Sequence, residues 1–200
     1  MRSVHIFGIL LMVSGVGPVR AGGPVMDAER WKAPGYQVEP PPVELITYNI
    51  RMNTPGDREH AWPHRREDVA ALFKFHRADI FCVQEALPDQ MDDLQAAFPG
   101  FAYEGVGRDD GDRMGEFSAV FYSEKRFRKL DGGTFWLSET PGTCSFGWDA
   151  ACRRICSWVE LEERATGRRL HVFNTHFDHV GETARKESAE LILKRISDIA

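Results

Sequence analysis

Asn174, His176 and Asp178 occupy every second position of Val172-Phe173-Asn174-Thr175-His176-Phe177-Asp178-His179. In a strand this sets Asn174, His176 and Asp178 on one face and Phe173 and Phe177 on the other. A continuous apolar run over Ile80-Phe81-Cys82-Val83 predicts a central strand covered on both sides, ending in Gln84-Glu85. Val43 to Ile50 is β-branched and apolar and predicts a strand; Arg51 to Ala61 has the Pro, Gly, Asn and Asp content of a loop. Trp62-Pro63 opens a helix with Val69, Leu72, Phe73 and His76 on one stripe. A short helix is predicted over Pro88 to Phe98. Strands follow at Phe101 to Val106, Glu116 to Ser123, Phe127 to Trp136, Arg154 to Glu163 and Arg169 to Asp178, and a helix from Arg185 onward. Helices alternate with strands early and strands dominate later, which predicts an α+β or mixed α/β class with helices packed on sheets.

The beginning of the chain has a different pattern. Arg2 precedes the apolar stretch Val4 to Val13, Gly15 to Pro18 break it, and Val19-Arg20-Ala21 offers small residues for cleavage. This predicts an export signal over residues 1 to 21 and a periplasmic or secreted protein cleaved near Ala21. Residues 22 to 42 are rich in Gly and Pro, ending in Pro40-Pro41-Pro42, and read as a linker before a domain over 43 to 200. The apolar stretch is too short for a stable membrane span and no second one follows.

Two hundred residues with 42% hydrophobic and 28% charged residues fit one soluble domain with a sizeable core. The formal charge is −5, and loss of residues 1 to 21 removes Arg2 and Arg20 and no acid. An acidic chain disfavours a large nonspecific nucleic-acid footprint, which needs a basic stripe. It leaves room for a small anion held by a few cations.

Export permits disulfides. Cys144, Cys152 and Cys156 cluster, and a Cys144 to Cys152 bridge is the preferred pairing; Cys82, inside the apolar run, reads as a core thiol. The cluster lacks the Cys-x-x-Cys knuckle of a structural zinc site.

Chemistry concentrates at strand ends. Burying the amide, imidazole and carboxylate of the Asn174, His176, Asp178 row without partners would cost several kcal/mol, so a metal with an anion or a hydrogen-bond network must satisfy them. Two other strands end in oxygen donors, Asn49 after Tyr48 and Glu85 after Gln84, a set suited to a hard cation such as Mg2+. Asp109-Asp110-Gly111-Asp112 lacks the later ligands of a calcium loop and reads as a turn at the rim.

Ile46-Thr47-Tyr48-Asn49-Ile50, Asp79 to Glu85, Gly115-Glu116-Phe117, Arg154-Ile155 before Trp158, and Asn174-Thr175-His176 together resemble the endonuclease/exonuclease/phosphatase superfamily, the DNase I-like phosphohydrolases. Phe135 to Thr140 and Gly147 to Ala150 resemble its bacterial exported members. The resemblance implies a sandwich of two packed sheets flanked by helices and a divalent metal, Mg2+ or alternatively Mn2+ or Ca2+. Glu85 would be a metal ligand and Asn49 a ligand or support near the phosphate. Arg154 would bind phosphate. His176 would contact the scissile phosphate, with Glu116 pairing with it and holding it protonated, and with Asn174 and Asp178 beside it. His179 would line the pocket.

The family's Gly-Asp-x-Asn and Ser-Asp-His motifs do not occur in these residues. The expectation is therefore a front portion of a metal-dependent phosphoesterase, with weak or no turnover by itself and an open edge on the second sheet. A noncatalytic phosphate-binding descendant and a nuclease of the same family are the alternatives. The substrate expected is a small phosphate ester or lipid head group before nucleic acid, and no obligate protein partner is inferred.

Overall fold

The structure is a computed structural model that describes residues 8–14, as backbone, and 41–199. The expected signal and linker, apart from Gly8–Ser14 and Pro41-Pro42, lie outside the described residues.

Among the described residues there are twelve elements besides turns; not all were foreseen, but most boundaries agree with the pattern. They are β1 (Gly8–Ser14), β2 (Leu45–Asn49), α1 (Trp62–Phe75), β3 (Ile80–Ala86), α2 (Pro88–Ala97), β4 (Phe101–Glu104), β5 (Phe117–Ser123), β6 (Phe127–Trp136), β7 (Ile155–Glu163), β8 (Arg169–His176) and α3 (Glu182–Ile199), with a 3-10 segment at Pro55–His60. One sheet has the order β2-β3-β5-β4, the other β1-β8-β7-β6. β2 and β3 are parallel; the remaining pairs are antiparallel.

Three apolar layers hold the sheets and helices together. Phe81, Val83 and Ala86 of β3 pack with Trp62, Val69 and Phe73 of α1 and with Met91 and Leu94 of α2. Ile80 and Cys82, on the opposite face of β3, pack with Val159, Leu161 and Val172 of the second sheet. Phe135, Phe173 and Phe177 meet Ile192 and Ile196 of α3. The fold is thus an α/β/β/α sandwich of the α+β class, as the pattern predicts. The alternation of β8 behaves as expected, with Phe173 under α3 and Asn174 facing the other sheet.

Two expectations are corrected. With residues 8–14 in place the outer edge of β8 is not open, because β1 pairs along it from Gly8 opposite His176 to Ser14 opposite Leu170; cleavage near Ala21 would remove β1 and bare that edge. An edge strand presents a row of unpaired N–H and C=O groups, and a Leu- and Val-containing segment satisfies them. The Cys144 to Cys152 bridge is absent, and all four cysteines are free thiols. The Cys144 thiol instead donates to the Asp109 carbonyl at 3.0 Å. Cys82 is fully buried, and burial pushes its thiol pKa up.

Candidate active site

The site begins with an irregularity in β3. Val83 and Gln84 stand opposite Ala119 and Ser118, yet the next pair is Ala86 with Phe117, which leaves Glu85 as an extra, bulged residue. Its φ is +60°, a left-handed conformation that a glutamate enters only when its surroundings impose it. The bulge turns the carboxylate out of the alternation and toward the end of the sheet.

There Glu85 collects donors. Its Oε1 accepts from Asn49 Nδ2 at 2.9 Å and lies 3.2 Å from His176 Nε2, and its Oε2 accepts from the Met52 amide at 3.3 Å. The His176 hydrogen bond, aided by Asn49 and the Met52 amide against the cost of burial, pulls the Glu85 pKa down to about 2. The loop that supplies Met52 is itself fixed. Arg65 donates to the Ile50 carbonyl at 2.6 Å and to that of Arg51 at 2.9 Å, while the buried Gln90 amide accepts from the Asn53 N–H at 2.8 Å.

Asn49 supports rather than competes. Its Oδ1 accepts from the Arg51 amide at 2.9 Å while its Nδ2 faces Glu85. Arg51 reaches Asp57 at 3.0 Å and has Nη1 3.9 Å from Glu85 Oε2. Asp57 raises the Arg51 pKa most, and Glu85 and Glu116 add to it, so those two carboxylates share one neighbourhood.

His176 and Arg154 form the other wall. Arg154 is only 6% exposed; its Nε donates to Asp178 Oδ2 at 3.2 Å, Nη1 lies 3.3 Å from His176 Nδ1, and Nη2 lies 3.0 Å from His179 Nδ1. A guanidinium only donates, so His179 Nδ1 accepts and a neutral His179 carries its proton on Nε2. His176 Nε2 faces an ionised carboxylate and must carry a hydrogen, so in the neutral ring Nδ1 accepts from Arg154 Nη1; the Phe177 carbonyl, 2.8 Å from Nδ1, receives a hydrogen only from the doubly protonated ring, which no longer accepts from Arg154.

The alternating row of β8 divides by depth. Asn174, 1% exposed, accepts from Gln84 Nε2 at 2.6 Å and donates to the carbonyls of Val83 and Ala119 at 2.9 Å each. It stitches the two sheets together directly beneath the Glu85 bulge and presents no free polar atom to the mouth. Asp178 lies beyond the strand end. Burial works against its charge, but the Gly181 and Val180 amides at 2.8 and 2.9 Å, with Arg154, hold its carboxyl well below the usual range.

Glu116 is placed differently from the expectation. Its partner is Arg108, with Nη1 2.6 Å from Oε2, and no contact with His176 is seen among the described residues. The carboxylate facing the histidine is Glu85, because the bulge carries it across. Gln84, Arg51 and Arg108 are the polar residues that the sequence reading left out. Gln84 was in view as a strand end, and its burial in an apolar run was the signal that it needed a partner.

Of the possible cation ligands, Glu85 fits a hard divalent ion, which takes one or two carboxylates and completes its shell with water and substrate oxygens. Cys152, Asp178 and His179 also bring ligand atoms within 4.8 Å of one another. That trio does not fit: Asp178 already accepts four hydrogen bonds, and the Arg154 guanidinium faces both Asp178 and His179.

Two packed sheets with a carboxylate, an imidazole and a buried arginine gathered at one mouth define a DNase I-like sandwich. The chain belongs to the Endonuclease/Exonuclease/phosphatase family, which it matches over residues 46–191. It is similar to an endonuclease/exonuclease/phosphatase from Bacteroides vulgatus, with 42% identity and a TM-score of 0.74 over 78% of this chain and 59% of that one. It is also similar to a mannosyl-6-phosphatase from Bacteroides thetaiotaomicron, with 41% identity and a TM-score of 0.78 over 79% of this chain and 60% of that one. A protein of Acanthamoeba polyphaga mimivirus, L388, is 25% identical over 134 residues, which are 64% of this chain and 50% of that protein. The chain therefore spans about half the length of that curated relative and about three fifths of the two bacterial structures. Among the described residues no helix is long and apolar enough to cross a membrane.

Proposed function

We propose that the chain is the metal- and phosphate-holding portion of a divalent-metal-dependent phosphoesterase that works outside the cytoplasm and hydrolyses a small phosphate ester. The observation that carries this reading is the contact of an ionised carboxylate, Glu85, with an imidazole that a buried arginine holds from its far side.

Glu85 would hold the cation, Mg2+ or alternatively Mn2+ or Ca2+, with Asn49 fixing the carboxylate. A bound divalent ion supplies Lewis-acid withdrawal of charge from phosphoryl oxygens. The protein's own contribution is donation. The Nε2–H of His176, which Glu85 Oε1 accepts in this structure, would turn to a non-bridging oxygen once Glu85 ligates the cation, and with the cationic surround of Arg51 and Arg154 it suits oxygens whose charge grows as a water attacks. Arg154 sets the ring positions of His176 and His179 through their Nδ1 atoms and acts on the phosphate through them. Asp178 neutralises Arg154 and fixes its plane.

A small phosphomonoester is favoured because a mannosyl-6-phosphatase matches most of this chain at 41% identity, and because an acidic chain suits a compact anion better than a polynucleotide. The residues that would orient the attacking water belong to motifs outside these 200, so turnover by this portion alone is expected to be weak. The test is Mg2+-dependent release of phosphate from sugar phosphates, measured on this chain and on a form that carries Gly-Asp-x-Asn and Ser-Asp-His. Activity should be lost on chelation and in Glu85→Ala and His176→Ala. Metal-independent hydrolysis, or full activity in either variant, overturns the reading.

A further inference from the structure

Arg108 follows β4 and is held by Glu116, just before β5, and by Trp136 at the end of β6. Its N–H donates to the Glu116 carbonyl at 3.2 Å, its own carbonyl accepts from Trp136 Nε1 at 2.8 Å, and its Nη1 donates to Glu116 Oε2 at 2.6 Å. Trp136 pairs with Ile155, the neighbour of Arg154, and Phe117 pairs with Ala86, the neighbour of Glu85. Arg108 is therefore anchored between the two walls of the site. The turn that carries it is closed by hydrogen bonds from Gly107 N–H to the Asp112 carbonyl at 2.8 Å and from the Asp112 and Met114 amides to Asp110 at 2.8 and 2.9 Å.

The pairing with Glu116 leaves this guanidinium largely unused. A guanidinium has five N–H groups. Among the described residues only Nη1 has a side-chain acceptor, and Nε is buried with no partner at all. The side chain is 14% exposed, and among its nitrogens Nε is the one buried without a partner. Buried donors without acceptors are uncommon, and an unspent arginine fork beside a phosphate site matches two oxygens of an anion.

We infer that Arg108 is a second anion-binding arginine of this mouth, one that grips a terminal phosphate and makes the site prefer phosphomonoesters to phosphodiesters. The preference follows from the oxygen count. A terminal phosphate has three non-bridging oxygens and a diester has two, so the extra oxygen and charge give Arg108 a partner only in the monoester. The ester preference rests on the phosphoesterase reading above; the anion site does not.

Titration calorimetry with inorganic phosphate, in the presence of Mg2+, tests the site on this chain. R108Q should weaken phosphate binding about tenfold or more, the loss of a charge-assisted pair. E116Q, which frees the guanidinium, should bind at least as tightly as the unmodified protein. The double variant R108Q/E116Q leaves no unpaired charge and should lose binding like R108Q, and it carries the test if R108Q does not fold. No phosphate binding by the unmodified chain, unchanged binding in R108Q/E116Q, or equal losses in E116Q and R108Q would each overturn the inference. In the longer form, R108Q should lower hydrolysis of p-nitrophenyl phosphate relative to bis(p-nitrophenyl) phosphate about tenfold; equal losses on both overturn the ester preference. If the protein cleaves neither ester while R108Q still loses phosphate, the anion site stands and the phosphoesterase reading falls.

Discussion

His176 Nε2 lies 3.2 Å from Glu85 Oε1, although 91 residues and two different sheets separate them in the chain. The contact depends on the Gln84 to Asn174 hydrogen bond, which lies one residue before Glu85 and two before His176. That amide pair sets the spacing of the sheets where the site begins.

The depressed pKa of Glu85 makes a signed statement about stability. A carboxylate at about 2 when folded and 4.5 when unfolded stabilises the fold fully above pH 4.5, and this contribution disappears as pH falls toward 2. Its size is on the order of 3 kcal/mol at most, since one pKa unit corresponds to about 1.4 kcal/mol. Urea unfolding at pH 6 and pH 3 should show a larger acid-induced loss in the unmodified protein than in Glu85→Gln; equal losses would remove Glu85 as the source.

Asn174→Leu should behave as a stability mutation before it behaves as a catalytic one. It removes the acceptor of Gln84 and the donor to two buried carbonyls, each loss costing about 1 to 3 kcal/mol. A midpoint shift in chemical denaturation that matches this range supports the assignment. Full stability with abolished phosphate binding would place Asn174 in direct contact with ligand instead.

Arg154→Lys keeps the charge but not the planar fork that reaches Asp178, His176 and His179 together. Disrupting a buried pair costs about 3 to 5 kcal/mol when the partner is stranded, and lysine should recover only part of it. Thermal unfolding should fall, and the imidazole resonances of both histidines should move in the NMR spectrum. Movement of only one would break the claim of a shared anchor.

Gly107 has no room for a side chain, because an added Cβ would collide with the Met114 backbone. Gly107→Ala should open the turn, cost about 1 to 3 kcal/mol, and weaken phosphate binding by displacing Arg108. Unfolding and calorimetry measured on the same sample check both effects; unchanged values for each would show that the turn can give way.

Much of this was legible in the residues because the fold is written in alternation. β6 is predicted at its observed limits, and β3, β7 and β8 differ by a residue or a few. Asn49, Glu85, Arg154 and His176 fall together because they sit at strand ends on the same side of the sandwich. What the pattern could not give was pairing among charged groups. Period-two reasoning places Glu85 beside Val83's face, under the helices, and gives no sign of a bulge. The family resemblance, for its part, implied Glu116 as the partner of His176, whereas Arg108, four residues beyond β4 in a turn, takes Glu116. The occupation of the β8 edge by β1 was equally invisible, since edge pairing depends on which backbone arrives there and not on side-chain rhythm.

The extra residue at Glu85 works as a phase shift. Delete one position from Ile80–Ala86 upstream of the glutamate and downstream parity inverts, so the residue at the ligand position changes face although no side chain has been altered. Protein engineers who wish to graft a different ligand onto this scaffold must therefore conserve the length of β3 as strictly as its chemistry, and a one-residue indel there should be more damaging than most point changes within the pocket.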